Sequence, residues 1–230
     1  MADRKSSSGA VAGVKCDTQD SEQKIVSGTD QEEEEKHTCA TGDSKRTWEI
    51  PSLQELEEVL YSAPRSCRHG DEVWSNLFLG DMSMSRDKFG LWQLGITHVL
   101  NASHGKLCCK GSEDSYGTTV KYYGVPANDL PTFDLSPFFY PASEFIHQAL
   151  SSGGKVFVHC AVGVSRSAAL VLAYLMIHHH LGLLSSVRCV QQKRWIFPNR
   201  GFLRQLIVLD RKLQDEGLHR ERKNHENKSI

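Results

Sequence analysis

The sequence predicts an α/β layer fold with a substantially parallel sheet. Three observations carry that reading. Short apolar or alternating runs recur between stretches of helical periodicity, the pattern of strands joined by crossover helices. One such run, Val156-Phe157-Val158, passes through a Gly-containing loop into the apolar stretch Ala168–Ile177. That stretch is about half of the roughly 20 residues a membrane span needs, so it reads as a buried helix. A length of 230 residues with 39% hydrophobic composition suits one domain with tails.

Residues 1–47 are rich in Ser, Gly, Thr and charged side chains and include the run Glu32–Glu35. They bury too little apolar surface to offset ordering entropy, so a disordered acidic tail is expected, a solvated extension before a docking arm. A globular domain is expected over 48–214 and a charged flexible tail over 215–230. Ser52 and Glu55 form a capping-box pattern ahead of the face Leu53, Leu56, Val59 and Leu60. Glu72–Leu79 alternates as a strand, and a helix over Ser85–Leu94 ends at Gly95. Strands follow at Ile96–Asn101 and Thr119–Val125, separated by a Gly-rich loop over Ser103–Gly117. Asn128–Leu135 reads as irregular around Pro131. Phe138–Leu150 is a helix stopped by Gly153-Gly154, and Lys155–His159 a short apolar strand. Helices are then expected at Ser165–His179, Ser185–Trp195 and Gly201–Gln214.

Charge excludes little. Residues 1–50 carry 7 basic and 11 acidic side chains, leaving 20 and 17 in 51–230. The chain as a whole gives no nucleic-acid or membrane signal. Seven cysteines, an odd number with no Cys-x-x-Cys pair, argue against a disulfide framework and for reduced thiols in the cytosol. Cys108-Cys109 reads as two ordinary thiols. His178-His179-His180 raises the question of a metal. Adjacent helical residues point in different directions, and no zinc-type spacing accompanies them.

The chemistry concentrates in His159-Cys160-Ala161-Val162-Gly163-Val164-Ser165-Arg166-Ser167. A strand delivers Cys160 to a tight loop that opens a helix. Ligands of open α/β sheets bind at the carboxyl ends of strands, and a helix N-terminus offers unpaired N–H groups to an anion. Gly163 frees the backbone to turn its amides inward. Arg166 supplies a planar fork for two phosphoryl oxygens. The same field lowers the pKa of a thiol and so makes Cys160 a nucleophile. Ser167 can donate to the sulfur. His159 orients the loop, since an ionised thiol needs no base.

His159–Ser167 resembles the signature loop of the protein tyrosine phosphatase superfamily, and the chain resembles its atypical dual-specificity branch, closest to the muscle- and testis-type members. Asp71-Glu72-Val73-Trp74, Leu94–Asn101, Ala127-Asn128-Asp129, Phe133–Ser136 and Pro198–Leu203 agree with it, over about residues 51–214. The resemblance implies a single phosphatase domain with a central, mostly parallel sheet of about five strands flanked by helices on both faces. It implies hydrolysis of phosphotyrosine and phosphoserine or phosphothreonine through a cysteinyl-phosphate, without metal or cofactor. It places the general acid at Asp129, 31 residues before Cys160. On sequence alone Asp129 serves equally as a turn carboxylate. Asp134 is the alternative acid, or else the cap of the next helix. Residues 161–165 would line the phosphate site. Asn199 would brace the signature loop. Arg194 would meet a second phosphate or, more simply, sit on a helix surface.

Ala161, Val162 and Val164 are apolar, without the extra basic residues that suit phosphoinositides. Phosphorylated proteins are therefore the expected substrates, MAP kinases among them. A monomer or weak homodimer is expected, in the cytosol and with the nucleus as a second compartment. A phosphoprotein-binding module and a sulfurtransferase-like enzyme are the competing readings. Retention of Asp129 beside Cys160 and Arg166 favours the phosphatase.

Overall fold

The computed structural model describes residues 49–106 and 115–228. The expected tail over 1–47 and the Cys108-Cys109 pair lie outside the described residues. Among the described residues, elements run in the order α1 (Leu53–Ser62), β1 (Gly70–Trp74), β2 (Leu77–Gly80), α2 (Met82–Arg86), α3 (Lys88–Gln93), β3 (His98–Asn101), β4 (Lys121–Gly124), a 3-10 turn (Ser136–Phe138), α4 (Phe139–Ser151), β5 (Val156–His159), α5 (Arg166–His179), α6 (Leu183–Gln191) and α7 (Arg200–Lys228).

The five strands form one sheet in the order β1-β2-β5-β3-β4. β5 sits at its centre, parallel to β2 and β3; β3 and β4 are parallel, and only the β1–β2 edge pair is antiparallel. Side chains alternate across the pleat. Leu77, Leu79, Leu100, Val156 and Val158 join the larger core, which is completed by α1 and α4 to α7. Phe78, Val99 and Phe157 face the other way and pack with Leu91 of α3 and Met84 of α2. Helices thus cover both faces, as an α/β architecture requires. α5 is buried at every position from Arg166 to Met176, which explains its unbroken apolar run.

Several local expectations change. Glu72–Leu79 is a hairpin rather than one strand. Asn76 adopts a left-handed backbone (φ 60°) and its N–H donates to Glu72 Oε1 at 2.8 Å, which reverses the chain. The helix expected over Ser85–Leu94 is two short helices. Asp81 caps the first through Met84 N (3.0 Å), and Asp87 caps the second through Gly90 N (2.9 Å). The expected Ser185–Trp195 helix spans Leu183–Gln191, which frees Arg194 from a helical surface. α7 runs on to Lys228, past the Gln214 at which the sequence pattern ends the helix. An i,i+4 pair, Lys212–Glu216 (3.9 Å), bridges the expected boundary. The Ser52/Glu55 capping box forms as the sequence indicates.

Candidate active site

Cys160 follows the last residue of the central strand, so the loop 160–165 occupies the carboxyl edge of the sheet before α5 begins at Arg166. The loop needs Gly163 twice over. Its φ is +76°, and a Cβ there would lie 2.3 Å from Gly80 O. Four successive carbonyls are tied outward. Ala161 O accepts from Met82 N (3.2 Å) and Val164 O from Phe197 N (2.9 Å). Gly163 O accepts from Arg194 Nε (3.1 Å) and Val162 O from Arg194 Nη2 (3.5 Å). Because C=O and N–H of a trans peptide point oppositely, the amides turn inward.

Cys160 is buried, and its sulfur accepts from Gly163 N and Ser167 Oγ, both at 3.2 Å. Burial is the largest single influence on the thiol and opposes ionisation. The Ser167 hydroxyl and amide, the Arg166 guanidinium and the Gly163 amide together outweigh it, leaving the pKa below that of an ordinary thiol. Arg166 is also buried. It holds Ala127 O only at 3.4 Å and stands 3.7 Å from Asp129 Oδ2. Its Nε has no hydrogen-bond acceptor among the described residues, so its donors are available to an oxyanion. His159 is buried against Phe157, with Nδ1 3.4 Å from Cys160 O and Nε2 3.4 Å from the Tyr116 hydroxyl. Burial lowers its pKa to about 4, so it is a neutral ring that orients the loop.

Asp129 reaches the same edge from the irregular segment after β4. Its Oδ1 accepts from Ser165 Oγ (2.6 Å) and Asn199 Nδ2 (2.9 Å). Asn199 N in turn donates to Ser165 Oγ (3.1 Å), and Asn199 Oδ1 accepts from Phe202 N (3.0 Å), starting α7. The segment after Asp129 is clamped to α7 by Gln205, which accepts from Leu135 N and donates to Phe133 O, both at 2.8 Å.

Cys160, Arg166, Ser167, His159, Asp129, Asn199 and the loop residues therefore converge. Asp134 does not join them. Its Oδ1 accepts from Ser136 N (3.0 Å) and Ser136 Oγ (2.7 Å), a local Asx turn, and neither the 3-10 turn nor α4 takes a side-chain cap, so the capping alternative is not met either. Ser165 does more than line the loop, since its hydroxyl holds Asp129. Arg194 is corrected outright. Its side chain is fully buried beside Asp71 Oδ2 (2.7 Å), so it neither lies on a helix surface nor stands open to a second phosphate. Sequence reasoning missed Asp71, Gln205, Met82 and Phe197 as supports. His178 stacks on the exposed His147 (4.2 Å), which accounts for part of the histidine run, and no group of metal-holding geometry occurs among the described residues.

Residues 77–212 match the family model described as dual specificity phosphatase, catalytic domain. Human dual specificity protein phosphatase 26 is 53% identical over 175 residues, covering 72% of this chain and 82% of that protein. Among solved structures, human tyrosine phosphatase-like serine/threonine/tyrosine-interacting protein is 32% identical with a TM-score of 0.57, covering 62% of this chain and 97% of its own. Human DUSP28 is 29% identical with a TM-score of 0.58, covering 66% and 99%.

Proposed function

The chain belongs to the dual-specificity phosphatase family and is a cysteine-dependent protein phosphatase; from that premise we propose the roles its residues play. Cys160 attacks phosphorus in line as a thiolate. Asp129 protonates the departing phenol or alcohol oxygen. Water, deprotonated by Asp129, then cleaves the cysteinyl-phosphate and the thiolate leaves. The inward amides and Arg166 stabilise the equatorial oxygens in both steps. Ser167 stabilises the thiolate as nucleophile and as leaving group. One observation carries the reading: the sulfur of Cys160 sits among donors with the Arg166 guanidinium beside it.

Phosphorylated proteins are the substrates of this family, and activated MAP kinases are our proposal within that class. Phosphotyrosine and phosphoserine or phosphothreonine should both enter. Val162, on the loop itself, is exposed, and the cradle lies at an open edge of the sheet. We place the enzyme in the cytosol and nucleus, where Cys160 stays reduced, as a monomer or weak homodimer. Hydrolysis of an aryl phosphate by the wild type and by Cys160→Ser tests the core assignment. Turnover must vanish in the variant; a variant retaining most of it removes Cys160 as nucleophile. Trapping phosphoproteins on Asp129→Ala tests the substrate class, and failure to capture any MAP kinase from stimulated cells rejects that proposal.

A further inference from the structure

Arg194 meets the phosphate cradle through its carbonyls, opposite the Gly163 amide that faces the Cys160 sulfur. Its Nη1 is fixed by Asp71 Oδ2 at 2.7 Å and Arg68 O at 2.5 Å. Asp71 is itself only 4% exposed and takes two further donors from Arg68, N at 3.1 Å and Nε at 2.9 Å. The guanidinium so anchored reaches Gly163 O and Val162 O.

The peptide geometry makes these contacts consequential. Val162 C=O and Gly163 N–H belong to one planar unit and point in opposite directions. The oxygen faces Arg194, and the N–H donates to Cys160 Sγ at 3.2 Å. The next unit, Gly163 C=O with Val164 N–H, is oriented by the shorter 3.1 Å bond. Backbone donors hold the units on either side, through Ala161 O and Val164 O. Only at the two middle carbonyls does a side chain supply the donor. A cation hydrogen-bonded to a carbonyl also polarises the peptide and strengthens its N–H as a donor. Gly163 permits the approach, since a Cβ there would lie 2.7 Å from Arg194 Nη2.

We propose that Arg194, anchored by Asp71, is a positioning residue for the phosphatase reaction: it holds two consecutive carbonyls outward and so aims the Gly163 and Val164 amides at the sulfur and the phosphoryl oxygens. The proposal rests on the phosphatase reading of the loop. It assigns Arg194 no contact with substrate.

Arg194→Lys and Arg194→Met test it. Lysine keeps the charge, but one ammonium cannot serve the four acceptors that the planar fork spans. Two readouts are independent of turnover: affinity for orthovanadate, and the pH midpoint of Cys160 alkylation by iodoacetamide. Both are measured on protein shown to be folded by a cooperative thermal transition. Vanadate binding should weaken about tenfold in the lysine variant and further in the methionine variant. The alkylation midpoint should rise in both. Arg188→Met on α6 serves as control and should change neither. Folded Arg194 variants with wild-type vanadate affinity and alkylation midpoint overturn the proposal. So does failure of both variants to fold, which assigns Arg194 to stability alone. An inactive wild type would instead sink the phosphatase reading, whereas an active wild type with unchanged variants sinks only the brace.

Discussion

Ser165 Oγ donates to Asp129 Oδ1 at 2.6 Å, joining the loop of the nucleophile to the segment of the acid. Asn199 Nδ2 donates to the same oxygen. With Oδ1 engaged twice, Oδ2 is the oxygen left to carry the transferable proton. Ser165→Ala and Asn199→Ala should each slow hydrolysis of unactivated phosphoesters about tenfold, a part of the roughly 10²–10⁴-fold that a positioned general acid contributes. Activated aryl phosphates should be affected far less, because their leaving groups need no proton. A leaving-group series measures this, and an even loss along it would remove both residues as aids to the acid.

Ser167 supplies the largest of the influences that favour the Cys160 thiolate. Ser167→Ala should therefore raise the thiol ionisation midpoint, read from alkylation rate against pH. It should also slow breakdown of the cysteinyl-phosphate, giving a burst of released phenol before the steady state. An unchanged midpoint together with no burst would leave the hydroxyl without a role.

His159 is held neutral by burial, with a pKa lowered from 6.5 to about 4. The unfolded chain takes up this proton first, so the contribution is intact above pH 6.5 and is lost as pH falls toward 4. A difference of that size is on the order of 3 kcal/mol. Chemical denaturation of the wild type between those limits should show stability falling with pH. His159→Asn should flatten that slope, and an equal slope in both proteins would contradict the assignment.

Gly201, in the first turn of α7, touches the acid segment, where a Cβ would lie 1.9 Å from Pro131 O. Gly201→Ala must push the two apart, at a cost of about 1–3 kcal/mol typical of overpacking. The displaced Asp129 should again show as loss on unactivated phosphoesters beyond any loss on activated ones. Wild-type stability and rate would mean that α7 does not set the position of the acid.

Much of the fold was legible because its signals are local. The apolar run of α5, the capping box at Ser52 and Glu55, and the strand feeding Cys160 each depend on residues a few positions apart. The hairpin at Asn76 and the paired caps at Asp81 and Asp87 were local too. They were missed because one residue, through a turn or a cap, overrode an otherwise continuous pattern. Arg194 was misread for a different reason. A charged residue at the end of a helical pattern suggests exposure, and only a distant carboxylate makes its burial tolerable.

By itself the sequence determined the nucleophile loop, its helix and the α/β class, since a glycine, a helix N-terminus and an arginine within seven residues already form an anion site. The tertiary structure decided what aims that site. Asp71 reaches Arg194 across 123 positions, Asn199 reaches Asp129 across 70, and Ser165 reaches Asp129 across 36. Such pairings arise from the order of strands in the sheet and the packing of α7, and chain spacing does not encode which distant groups that packing brings together.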